Sequence, residues 1–226
     1  WANRKARSPS PPEVSPAPPG FIRNCARINM YKNFYDEKIV LVTGVAGFKG
    51  TWLAIALLDA GVREIIGLDK ERQPRSNFAL SGLDQVLTYV QGDIRDQALV
   101  QRLLKDYQVD VVFHLAAQVD VNSSVDDPVA DAQTNLIGLL RVLNGAQLAG
   151  TRKFVFTSSG AIYGEVDPEL LPLQEDTARR PLSPYGVAKL AGVFYLEAYE
   201  ALHGLAGTTL ALANVYGPRQ DPHGEA

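Results

Sequence analysis

Residues 38–50 read KIVLVTGVAGFKG. The first half is a continuous apolar, β-branched run, which predicts a strand buried on both faces. The second half places Gly44, Gly47 and Gly50 at G-x-x-G-x-x-G spacing, and an apolar helical stretch to about residue 60 follows. A glycine turn between strand and helix lets the backbone come close to a pyrophosphate. The helix start then offers free N–H groups and the positive end of its dipole. A glycine triplet alone is weak, but this one sits in the strand–turn–helix setting that the chemistry requires. These three glycines are therefore candidate dinucleotide-binding positions.

Outward from this turn the pattern repeats. Short apolar runs at EIIGLD (64–69), VLTYVQ (86–91), VDVVFHLA (109–116), KFVFTSS (153–159) and TTLALAN (208–214) alternate with helical stretches near 96–107, within 128–149 and near 184–203. This predicts an α/β domain: a doubly wound parallel sheet of Rossmann type with helices on both faces. Asp69 ends the second strand 25 positions after Gly44. A carboxylate there accepts hydrogen bonds from both ribose hydroxyls of an adenosine and repels a 2′-phosphate, which favours NAD. Lys70 and Arg72 keep NADP open. Asp93 and Ile94, after the third strand, are placed to meet an adenine. Ala116 and Ala117, after the fourth, leave room for a cofactor. His114 lies in an apolar strand with no acid or second histidine beside it, which marks a core residue.

The flanks are different. Six of the 14 prolines fall within residues 1–20, a composition that predicts disorder. Residues 1–37 are read as a Pro-rich segment outside the domain and 38–226 as the cofactor-binding domain. The only methionine, Met30, suggests a natural start, with 1–29 as added or upstream-translated sequence; a natural disordered tail is the alternative. Without 1–29 the chain holds 17 basic and 24 acidic residues, which argues against nucleic acid as the main partner. No apolar run approaches the roughly 20 residues of a membrane span. The single cysteine, Cys25, gives no disulfide framework, and a cytoplasmic setting is expected. No metal site is expected.

SPYGVAK carries Tyr185 and Lys189 at i and i+4, on one face of a helix. A phenol is a poor base at neutral pH, and a nearby ammonium favours its ionised form. Lys189 can also bond a nicotinamide ribose. Ser158 and Ser159 end the fifth strand, whose carboxyl end opens on the same crevice. A hydroxyl there can bond the substrate oxygen that Tyr185 protonates or deprotonates.

TGVAGFKG, GDIRD, HLAAQ, TSSGAIYG, SPYGVAK and NVYGPR, in this order, resemble the extended short-chain dehydrogenase/reductase family over about 38–226. The likeness is strongest to its UDP-sugar 4-epimerase branch from 111 onward. The opening GFKGTWLAIALL is similar to the start of CDP-sugar 4,6-dehydratases. The resemblance implies that Gly44, Gly47, Gly50, Asp69, Asp93, Ile94, Ala116, Ala117, Tyr185 and Lys189 bind NAD. It implies that Asn135 supports the framework near the cofactor, that Ser159, Tyr185 and Lys189 are catalytic, and that Ser159, Tyr185 and Asn214 meet a nucleotide sugar. Ser158 is the second candidate for the serine. In the family's dehydratases Asp-Glu follows the catalytic hydroxyl residue; here Gly160 and Ala161 stand there, which favours epimerisation. The family runs on for roughly another 80–100 residues, a size consistent with ordinary domains, so a C-terminally incomplete chain with a partial sugar site is expected. A homodimer is left open, as are a dehydratase or reductase of the same family and a non-catalytic NAD-binding protein or inactive fragment.

Overall fold

Six parallel strands lie in the order β3-β2-β1-β4-β5-β6. They are seen in a computed structural model that describes residues 34–74 and 76–220. The elements are β1 (Ile39–Thr43), α1 (Phe48–Asp59), β2 (Glu64–Asp69), α2 (Asn77–Ser81), β3 (Thr88–Gln91), α3 (Gln97–Asp106) and β4 (Val111–His114). After them come α4 (Val121–Asp126), α5 (Pro128–Ala132), α6 (Leu139–Ala149), β5 (Lys153–Ser159), α7 (Pro184–His203) and β6 (Ala206–Leu212). The segment 1–33, with the expected disorder and the Met30 start, lies outside the described residues. Phe34–Glu37 form a turn whose Tyr35 carbonyl accepts from the Lys38 and Arg63 N–H groups, and the Tyr35 ring packs on the core.

Strand alternation explains the two-sided core. In β1, Val40 and Val42 face a cluster with Ala54, Ile55 and Leu57 of α1 and Phe78 of α2. Leu41 faces the opposite cluster, built on Leu104 of α3, Leu139 and Leu143 of α6 and Val193 of α7. Both faces of the central strands are buried in these clusters, so those strands read as unbroken apolar runs. β3 and β6 are the sheet edges among the described residues.

From β1 the chain winds outward through β2 to β3, then crosses back to β4 on the other side of β1. Their carboxyl ends, at Thr43 and His114, therefore send their loops to opposite sides. A crevice opens at this switch point, where ligands bind in open α/β sheets.

The long helix expected within 128–149 is interrupted. A π-helical turn, Gln133–Gly138, joins α5 to α6. The Asn135 side chain bonds the neighbouring Gln118 backbone. Gly138 lies so close to Ile94 that a Cβ would come within 2.6 Å of its Cδ1. α7 matches its expected bounds because its signals are local: Ser183 caps it, Pro184 is its first residue and Gly204 ends it in the left-handed conformation. α2 and α4 were not expected; each is a single turn or two capped by Ser76 or Asp120. Among the described residues no helix is long and apolar enough to cross a membrane.

Candidate active site

The crevice has a volume of about 1000 Å³. Its lining runs from Asp69 and Lys70 at one end, over the glycine turn, to Ser159, Tyr185 and Asn214 at the other.

The glycine turn is shaped by close approach. Gly44 has φ +74°, and a Cβ there would lie 2.8 Å from the Ala116 nitrogen. A Cβ on Gly50 would lie 2.1 Å from the Gly44 carbonyl oxygen, an impossible contact. Gly47 begins α1, and no side chain caps the helix there. Its first turn holds no acid but contains Lys49, whose ammonium pKa burial lowers. The positive helix end and this lysine both face the cavity, which suits a phosphate-bearing ligand.

Asp69 accepts from the Ala46 N–H at 2.8 Å through Oδ2 and from the Lys70 N–H at 2.8 Å through Oδ1. Burial raises its pKa, and these backbone bonds oppose the rise. The carboxylate is thus fixed beside the glycine turn. Two cations near it are already paired. Lys70 lies 3.6 Å from Asp93, and Arg72 bonds Asp84.

Gly92 and Ile94 line the crevice, but Asp93 is not among its lining residues. Its carboxylate is held by Arg95, with bonds of 2.7 and 3.0 Å to one oxygen, and its pKa falls to about 2 chiefly through that partner. The i, i+2 acid–arginine pair in GDIRD was visible in the sequence and was not read as a pair.

Ala116 and Ala117 line the cavity as expected. Asn135 is buried behind them. It accepts from the Gln118 N–H and donates to the Gln118 carbonyl, both at 2.9 Å. It fixes the loop after β4 and does not line the cavity; its neighbour Thr134 does. His114 is buried and hydrogen-bonded to Thr43 Oγ1 at 2.9 Å. Burial first, then the Lys189 charge, push its pKa down to about 3, so it is neutral and structural.

At the far end, Tyr185 and Lys189 share one face of α7, with the Lys189 Nζ 5.7 Å from the tyrosine ring centre. Lys189 is 3% exposed and donates to the Thr157 carbonyl at 3.0 Å. Burial is the main cause of its pKa falling to about 7; Lys49 adds to the fall and Asp131 opposes it. Tyr185 lines the crevice, and its backbone N–H donates to Ser124 Oγ at 3.2 Å. Both serines also line it. Ser158 Oγ contacts the Lys189 carbonyl at 3.5 Å, and Ser159 Oγ accepts from the Ala161 N–H at 3.2 Å. Gly160 and Ala161, also in the lining, carry no group that transfers a proton. Asn214 is exposed at the mouth. The segment beyond it folds back over α1 and α2: Trp52 Nε1 donates to the Pro218 carbonyl at 3.3 Å, and Asn77 Nδ2 to the Arg219 carbonyl at 2.9 Å.

The glycine turn and Tyr185 open on one crevice, with Lys189 buried beside the tyrosine, an arrangement that belongs with the doubly wound cofactor-binding folds. Residues 40–226 match the NAD dependent epimerase/dehydratase family, and the chain belongs to it. It is 46% identical over 188 residues to the UDP-glucose 4-epimerase of Mycolicibacterium smegmatis, covering 82% of this chain and 59% of that protein. The solved structure of Thermus thermophilus UDP-glucose 4-epimerase in complex with NAD superposes with a TM-score of 0.75 at 41% identity, covering 83% of this chain and 58% of that one. A dTDP-glucose 4,6-dehydratase from Streptomyces venezuelae, solved with NAD, follows at TM-score 0.73 and 32% identity, covering 82% and 59%. The chain thus spans less than two thirds of the length of these relatives.

Proposed function

We propose that this chain holds NAD and supplies the acid–base group of a nucleotide-sugar 4-epimerase, with a UDP-sugar as substrate. The observation that carries the reading is Tyr185 in the crevice with the Lys189 ammonium buried 5.7 Å from its ring centre, while positions 160 and 161 bear no proton-transferring side chain. The cradle fits the cofactor: only glycine is accommodated at 50, the α1 start is uncapped, and the Asp69 carboxylate lines the cavity beside the glycine turn. The paired Lys70 and Arg72 leave little to meet a 2′-phosphate, which supports NAD over NADP.

When bound, NAD supplies the acceptor for a hydride from the sugar C4. Tyr185, as phenolate, takes the proton from the C4 hydroxyl. The Lys189 charge stabilises that phenolate and would bond the nicotinamide ribose. Ser159 holds the same sugar oxygen, and Asn214 meets the phosphates of the nucleotide. Tyr185 would return the proton as the same hydride comes back to the opposite face of C4, which inverts C4 without net change of redox state.

Dehydration would need further groups, to protonate a departing 6-hydroxyl and take the C5 proton. Gly160 and Ala161 provide none. The test is incubation of the whole-length protein with UDP-glucose, UDP-N-acetylglucosamine, CDP-glucose and dTDP-glucose, followed by NMR. Interconversion of gluco and galacto forms is expected. A 4-keto-6-deoxy product, or accumulation of NADH, would overturn the reading.

A cytoplasmic setting belongs to the same reading. A homodimer is supported by an exposed apolar stripe on α7, formed by Val187, Phe194, Tyr195 and Leu202, with Val125 and Val129 exposed on the neighbouring α4 and α5. Sedimentation of the protein checks it.

A further inference from the structure

Tyr185 is the second residue of α7, and the first N–H groups of any helix have no carbonyl one turn behind them to bond. The residues around it are served locally. The capping Ser183 accepts from the Gly186 N–H at 3.1 Å through Oγ and from the Val187 N–H at 2.9 Å through its carbonyl. Pro184 has no N–H to satisfy. The Tyr185 N–H instead reaches to another helix and donates to Ser124 Oγ of α4 at 3.2 Å.

Ser124 is 0% exposed, and its hydroxyl is committed on both sides. It donates its one proton to the Val121 carbonyl at 2.6 Å, so toward Tyr185 it can only accept. α4 is tied in turn to the loop after β4. Asp120 caps the helix by accepting from the Asn122 and Ser123 N–H groups at 2.8 and 3.2 Å, and the Asp120 carbonyl accepts from Gln118 Nε2 at 2.8 Å. Asn135 fixes the Gln118 backbone, and Ala116 and Ala117 of the same loop line the crevice. Gly186, the residue after the tyrosine, leaves no room to shift: a Cβ there would lie 2.8 Å from the Ala161 carbonyl oxygen. The Tyr185 backbone is thus held by α4 and packed close to the turn at Gly160–Ile162, with the residue in the crevice wall.

We propose that Ser124 is a positioning residue for Tyr185: its hydroxyl fastens the start of α7 to α4 and so sets where the phenol stands relative to the loop after β4. It acts through the tyrosine backbone and does not line the crevice itself. An acid–base group owes its effect to being held in place, and a misplacement of about 1 Å costs about 10²-fold. The inference rests on the reading of Tyr185 as the acid–base group.

The test is Ser124→Ala in whole-length protein, which removes the acceptor and leaves a buried N–H unbonded. It should lower kcat by about 10–10²-fold, with KM and NAD affinity kept. An unchanged kcat overturns the proposal, and so do equal losses in kcat, KM and NAD affinity, which would mark a general stabiliser. In a Tyr185→Phe background the same change should cost no further activity, because its effect passes through the phenol; an equal further loss there overturns the proposal. If Ser124→Ala does not fold, hydrogen exchange in the unchanged chain decides. The Tyr185 amide, with no acceptor in its own helix, should exchange as slowly as the helix interior, and rapid exchange overturns the proposal. Turnover that survives Tyr185→Phe sinks the acid–base reading and this inference with it. Turnover lost in Tyr185→Phe but unchanged in Ser124→Ala sinks only the role given to Ser124.

Discussion

The two ends of the crevice are built on different principles. At the β1–α1 end the work is done by backbone: a left-handed Gly44, a Gly50 with no room for a methyl group, and an uncapped helix start. At the β5–α7 end it is done by side chains, above all a lysine buried against Thr157 and Phe156. The first end holds a ligand by shape and dipole. The second end carries a buried cation, which is costly to hold and for that reason chemically responsive. Binding and reactivity are thus separated along one cavity, and each half is open to its own perturbation.

The largest effect should come from the reactive end. In whole-length protein, Tyr185→Phe should lower kcat by about 10²–10⁴-fold, the usual worth of a positioned acid–base group, with NAD affinity almost unchanged. Steady-state kinetics and calorimetry check this; equal losses in both would mean that the two ends are not separable. Next comes the backbone end. Gly50→Ala must displace the Gly44 carbonyl, a strain of about 2 kcal/mol, or about 30-fold in NAD affinity by titration. Gly160→Ala is the contrast: its Cβ meets Leu212 O at an ordinary 3.6 Å, so NAD affinity should stay the same.

Smaller is the loss of the ribose carboxylate. Asp69→Ala should weaken NAD by about 1.5 kcal/mol, about tenfold, without tight NADP binding, because Lys70 and Arg72 stay paired. Adding Asp84→Asn releases Arg72 and should raise NADP affinity. Unchanged NADP binding in the double variant would show that Arg72 does not reach the site.

The last effect is a slope. Lys189 titrates at about 7 when folded and at 10.5 as a free side chain. Between those values the unfolded chain holds more protons, so stability rises with pH through the window. Below about 7 both forms are charged and the penalty is constant. Lys189→Met should flatten that rise in melting temperature measured against pH. His114 acts the same way lower down, between about 3 and 6.5: stability falls as pH drops through that range.

These contrasts also mark what could be read before the fold was known. The glycine turn, Asp69 and the Tyr185–Lys189 spacing were legible because each is a short-range pattern tied to one strand end or one helix face. The α7 bounds were legible from Ser183, Pro184 and Gly204. Lys49, Ser124 and Asp131 were not read. Their importance arises from contacts made across the chain, such as Ser124 Oγ with the Tyr185 N–H, 61 residues away. No local spacing encodes that. The break in the helix within 128–149 was hidden for the same reason: Asn135 leaves the helical pattern to serve a loop 17 residues earlier. Asp93 is the opposite case, since its partner lies two residues on and local reading should have found it.

Among the described residues strand β6 lies at one margin of the sheet, and its sequence, AGTTLAL, contains neither a charge nor a proline. Charged residues, prolines and bulges are the usual guards that stop one sheet from extending into another molecule's. Seven unguarded residues with Leu210 42% exposed are a template for a foreign strand. The isolated chain should therefore show association that grows with concentration and turbidity on standing. A lysine at Leu210 should suppress both without touching the cofactor crevice.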